Sequence, residues 1–137
     1  MQLFINGHQT TLADFMKDDL PRAVINSLFS WRRAESDDIL PGTSRYGWWA
    51  DTYDDDGEKF GSRLWLLSRS KTTEEVTLLA REYAQEALQW LIDDGVATEV
   101  NVTAERGEGG RLDLSVEVVR VGEKNLSARF ADVWSEL

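Results

Sequence analysis

TTEEVTLLAREYAQEALQWLIDDG, residues 72–95, places Val76, Leu79, Ala80, Tyr83, Ala84, Ala87, Leu88, Leu91 and Ile92 at the i, i+3, i+4, i+7 spacing of one helix face. Arg81, Glu82, Gln85, Glu86 and Gln89 fill most of the opposite face. Thr72 with Glu75 fits a capping box, in which hydroxyl and carboxylate each satisfy an exposed backbone N–H. Glu74 and Glu75 sit where the helix dipole favours negative charge. Gly95 is the natural stop, because it adopts the left-handed conformation that closes a helix. Such a helix is roughly 33 Å long at 1.5 Å per residue, about the span of a small domain. It is the spine on which the remaining segments pack.

On its C-terminal side the hydrophobic period changes from 3.6 to 2. Thr98, Val100, Val102 and Ala104 alternate with polar residues, and so do Leu112, Leu114, Val116 and Val118. Gly107-Glu108-Gly109-Gly110 between them makes the turn of a hairpin with one buried and one solvated face. Val118-Val119 breaks the alternation, so a bulge is expected there. A second turn at Gly122–Asn125 leads to a third strand over Leu126–Trp134. The predicted fold class is α+β: the long helix and shorter helices packed on a C-terminal antiparallel three-stranded meander, with an N-terminal hairpin.

On the N-terminal side, Gly61-Ser62-Arg63-Leu64-Trp65-Leu66-Leu67 is an apolar segment in which Ser62 caps a short helix running to about Ser70. Residues 35–60 are irregular, broken by Pro41-Gly42, Gly47 and Gly57, with Asp54-Asp55-Asp56 concentrating charge. A loop this long in a compact domain is usually functional or disordered, and Arg45-Tyr46-Gly47-Trp48-Trp49 argues against disorder. Two readings stand for Trp48 and Trp49, a core plug or a partner anchor, since adjacent side chains of an extended segment point to opposite sides. Asp18 or Asp19 caps a helix with Pro21 in its first turn, carrying Ala23, Val24, Ser27 and Leu28 on one face, with Ile25 and Phe29 flanking. Within an N-terminal arm of residues 1–20, Asn6-Gly7 is the favoured pair for a hairpin turn between Leu3-Phe4-Ile5 and His8–Leu12.

The chain of 137 residues fits one domain, residues 1–137, with a core that needs no staples. It has no cysteine, which rules out a disulfide framework and a thiolate metal site. A net charge of −10 argues against nucleic acid, whose phosphates need basic patches, and favours a basic partner surface. No apolar run approaches a membrane span, and no signal peptide is expected. Six tryptophans are many for this length, and Trp is favoured at interface anchors.

Motifs for chemistry are missing. Gly107-Glu108-Gly109-Gly110 lies in a hairpin, not between a strand and a helix as a phosphate loop would. Asp54–Glu58 lacks the spacing of a calcium loop. His8, the one histidine, has no carboxylate or hydroxyl motif beside it and reads as a turn flank. Asp51, Asp54 and Glu58 are candidates for a pair of glycosidic carboxylates, but nothing in that charged loop raises one pKa and spares the other. No metal, cofactor or small-molecule substrate is expected.

The order of segments adds a resemblance. SLFSWRRAESDDILP, RYGWWADTYDD, GSRLWLLSRSKTTEE and YAQEALQWLIDDGVA, in that order, resemble the small baseplate-wedge family of contractile phage tails. The likeness is to the branch of phage Mu and Mu-like prophages, and it covers about Arg22 to Val121. Members are often labelled lysozyme-like, and similar proteins occur in type VI secretion baseplates. Arg45-Tyr46-Gly47 stands loosely where the wider family has a G-E-R type motif. Asp93-Asp94-Gly95 stands where it has E-P-R, so the role of that arginine does not transfer. Gly61 and Leu64 resemble the glycine and leucine before the family's main helix, with Gly47, Arg63 and Trp65 in the same structural motifs. The resemblance implies a non-enzymatic wedge component, assembled in the bacterial cytoplasm into the virion tail and docking on other baseplate proteins. Arg45, Tyr46, Trp48, Trp49 and Tyr53 are the candidate docking residues, and free sheet edges are expected. The alternatives are a peptidoglycan-hydrolysing tail enzyme, which the label suggests, and a regulatory binding module, since the wedge fold also resembles a bacterial anti-adaptor protein.

Overall fold

The computed structural model describes residues 1–30, 61–67 and 72–136. In chain order these form β1 (Gln2–Ile5), β2 (His8–Thr10), a one-turn α1 (Leu12–Phe15), α2 (Asp19–Phe29), a 3-10 helix at Arg63–Leu67, α3 (Glu74–Asp93), β3 (Glu99–Arg106), β4 (Leu112–Val119), β5 (Leu126–Ala131) and a closing 3-10 helix at Val133–Glu136.

The expected three-stranded C-terminal meander is corrected by a sheet of five strands in the order β2-β1-β5-β4-β3, antiparallel throughout. The N-terminal hairpin is not a separate arm. Asn6 at φ +50° and Gly7 at φ +85° make its turn, and β1 pairs with β5 from Gln2 opposite Ala131 to Ile5 opposite Ala128. That register sets Leu3 beside Phe130, both buried, so the hairpin extends the core face and covers an otherwise unpaired edge of β5. Asn6 fixes the join: its N–H donates to the Ser127 carbonyl at 2.7 Å, and its Oδ1 accepts from the Ser127 N–H at 3.1 Å. Met1 adds its amine on the Ser135 hydroxyl at 2.9 Å.

Three local expectations also change. The β3–β4 register runs unbroken from Glu99 opposite Val119 to Arg106 opposite Leu112, so there is no bulge at Val118-Val119. β5 stops at Ala131 because Asp132 turns the chain at φ +62°. The cap of α3 is Thr73, whose Oγ1 accepts from the Val76 N–H. Thr72, the expected cap, instead donates its hydroxyl to the Gly110 carbonyl at 2.6 Å and accepts from the Trp134 indole at 2.8 Å. One hydroxyl thus ties the start of α3 to the β3–β4 turn and to the C-terminal 3-10 helix. Gly95 at φ +76° ends α3 as its position predicts.

The core lies between the sheet and the helices. α3 buries Ala80, Ala84, Ala87, Leu88 and Leu91, and its alanines let the helix backbone approach the valines of β3 and β4 closely. Phe130 stacks with Phe15 at 5.5 Å and Phe29 at 5.7 Å between ring centres, which fastens α1 and α2 to the sheet. Each fully buried Leu or Phe contributes about 1.5–3 kcal/mol of burial.

Candidate partner-binding site

The expected docking residues Arg45, Tyr46, Trp48, Trp49 and Tyr53, with Gly47, lie outside the described residues, as does the Trp65 side chain. What is described is the ground on which they stand. α2 ends at Phe29, and the Ser30 carbonyl accepts from the Ser62 N–H at 2.7 Å. The segment 31–60 therefore leaves and rejoins the body of the protein at one point. Gly61, at φ +95°, makes the re-entry in a backbone conformation that side chains disfavour.

Behind that junction the chain is locked down. Ser62, 1% exposed, accepts from the Leu64 N–H at 3.0 Å and so caps the Arg63–Leu67 turn. Leu64, Leu66 and Leu67 are buried. Arg63 reaches α3, where Nε donates to Glu86 Oε1 at 2.9 Å and Nη2 to Oε2 at 2.8 Å. Its guanidinium also lies over the Tyr83 ring, 4.6 Å from the centroid. A planar fork that chelates a carboxylate and stacks on a ring is arginine geometry, which lysine cannot reproduce.

Other polar groups are spent on architecture. Asp113, 6% exposed, accepts from Arg111 and Arg129 and takes the Asp132 N–H at 2.9 Å, which holds the left-handed turn after β5. The i, i+2 spacing of Arg111 and Asp113 on one strand face was the available signal for this cluster. The outer edge of β3 was expected to be free, but α3 covers it. Arg81 Nε donates to the Val102 carbonyl at 2.9 Å and Gln85 Nε2 to the Val100 carbonyl at 2.7 Å. Side chains that occupy edge carbonyls block strand addition. Among the described residues, no group of three or more His, Asp or Glu is placed to hold a metal ion, and no helix is long and apolar enough to cross a membrane.

Comparison with known proteins now adds its findings. A family model described as phage protein GP46 matches residues 20–125. The baseplate protein gp46 of Escherichia phage Mu is 47% identical over 106 residues, covering 75% of this chain and 72% of that protein. The Mu-like prophage FluMu protein gp46 of Haemophilus influenzae is 40% identical over 129 residues, covering 94% of this chain and 87% of that protein.

Proposed function

We infer the function from one premise: the chain belongs to the GP46 family of phage proteins. It is a structural component of the tail baseplate of a Mu-like phage or prophage, and it works by assembling with other baseplate components. The observation that carries this is the 47% identity to a protein named for the Mu baseplate. The finer reading is ours. The protein is one domain, it is assembled in the host cytoplasm, and it is not an enzyme. In support of the last point, the buried carboxylate among the described residues, Asp113, is held by two arginines and a backbone N–H and is not poised for proton transfer.

The proposed docking surface is Arg45, Tyr46, Trp48, Trp49 and Tyr53. Two features support it: aromatics and Arg dominate interface energies, and the segment carrying them starts and ends at one braced junction, Ser30–Ser62. A braced base lowers the ordering cost of docking. The test is deletion of the gene in an inducible Mu-like lysogen, with complementation by the wild-type chain and by Trp48→Ala and Trp49→Ala. Loss of assembled tails on deletion, restored by the wild-type chain, is expected. Normal tails without the gene would overturn the structural role. The hydrolase alternative is tested on purified protein, which should clear no cell-wall substrate between about pH 4 and 8, the range where carboxylate pairs work. Clearing abolished by one change at Asp51, Asp54 or Glu58 would reverse the assignment.

A further inference from the structure

A cleft of about 610 Å³ opens where the start of α2, the end of α3 and the β4–β5 turn meet. Leu20, Pro21, Trp90, Leu91, Val96 and Leu126 give it apolar walls. Val96 stays 42% exposed beside it, a large side chain left in water between Gly95 and the buried Ala97.

Two charged side chains line the cleft without a partner among the described residues: Asp18 from the start of α2, and Lys124 from the β4–β5 turn. The freedom of Asp18 has a cause in the sequence. It is the N-cap residue of α2, and an N-cap carboxylate normally accepts from the N–H two or three positions on. The third position is Pro21, which has no N–H, and the Asp18 side chain makes no capping bond. Its neighbour Asp19 is engaged by Arg22. The Arg120 head is engaged by Glu123 and the Lys124 carbonyl. An apolar cleft thus keeps one idle carboxylate and one idle ammonium, on a chain of net charge −10.

We propose that this cleft is a second docking site, which receives a basic segment of a neighbouring baseplate chain. An apolar side chain of that segment lies against Trp90 and Leu126, and the Lys or Arg next to it pairs with Asp18. The negative net charge and the idle carboxylate favour a basic partner over an acidic one, and Lys124 receives an acceptor on the partner's far side. This rests on the baseplate reading and adds a surface that the aromatic segment does not supply.

The test uses whole tails. A photo-crosslinking amino acid replaces Val96 in the full chain, tails are purified and irradiated, and the linked peptide is sequenced. A peptide of another baseplate protein with Lys or Arg beside the linked position is expected. Asp18→Lys should cut the cross-link about tenfold, as for other reversed interface charges. Asp18→Asn, which preserves capping capacity, should cut it severalfold with an unchanged melting temperature. Tails that contain the chain but give no link at Val96 would overturn the proposal. So would a link to an acidic segment, to a second copy, or to another part of the same chain. If the chain is absent from purified tails, the baseplate reading itself falls.

Discussion

Ser27 offers a test of how α2 is held to α3. It is fully buried on an otherwise apolar helix face; its hydroxyl donates to the Ala23 carbonyl at 2.7 Å and accepts from the Trp90 indole N–H at 2.9 Å. Ser27→Ala removes little volume, so the cavity contribution is small. The Ala23 carbonyl lies one helical turn back on the same helix, so losing that bond costs little. The main loss is the acceptor for the indole N–H, and a donor left without a partner in a partly buried site costs about 1–3 kcal/mol. We expect about 1–2 kcal/mol for Ser27→Ala, or roughly 3–6 °C in melting temperature for a chain of this size. Trp90→Phe removes the other partner together with apolar area and should cost more. The decisive quantity is the coupling between the two. In urea titrations followed by far-UV circular dichroism, the double variant should be less destabilised than the sum of the singles by about 0.5–1.5 kcal/mol. Additivity within about 0.3 kcal/mol would show that the two groups are not bonded in solution.

Leu88→Ala, at a fully buried position of α3, should cost about 2–5 kcal/mol by chemical denaturation; under about half a kcal/mol, Leu88 would not be core. Asp113→Ala strands Arg111, Arg129 and the Asp132 N–H and should cost about 1–3 kcal/mol, while Asp113→Asn, which still accepts from Asp132, should cost less in the same titration. Trp48→Ala and Trp49→Ala separate the two readings of the aromatic segment. An anchor should weaken binding to the baseplate partner by roughly 2 kcal/mol or more with the melting temperature unchanged. A core plug should lower stability by about 3–5 kcal/mol.

What could be read from the residues followed the range of the interactions. The spine helix, its stop at Gly95 and the alternating strands rest on contacts within a few residues, and local periodicity reports those. The Asn6-Gly7 turn was legible for the same reason. The pairing of β1 with β5 was not, because it joins the two ends of the chain, and nothing in Leu3-Phe4-Ile5 names its partner. The cap of α3 misled for a related reason. Thr72 and Thr73 are equivalent as local capping residues, and the choice was made by Trp134 and Gly110, which hold the Thr72 hydroxyl from distant turns. The idle carboxylate of Asp18 was readable in principle, since a proline three positions after an N-cap removes one target of that cap.

The two proposed docking surfaces share one support. The first turn of α2 forms a wall of the cleft, and its last residue leads to Ser30, where the segment 31–60 departs. The helix has 11 residues, so the two ends stand about 16 Å apart. Strand addition is a poor alternative route to assembly here. The β3 edge has carbonyls taken by Arg81 and Gln85, and β2 at the opposite edge has three residues. If contacts gather at the ends of α2, then the contact that seats α2, Ser27 with Trp90, governs both surfaces at once, and Trp90 itself lines the cleft. Ser27→Ala should therefore weaken assembly at both sites, although Ser27 touches neither partner. Asp18→Asn should weaken only the cleft and Trp48→Ala only the aromatic segment. Equal losses at both sites from either of the last two variants would mean that the surfaces are one continuous interface rather than two joined by a helix.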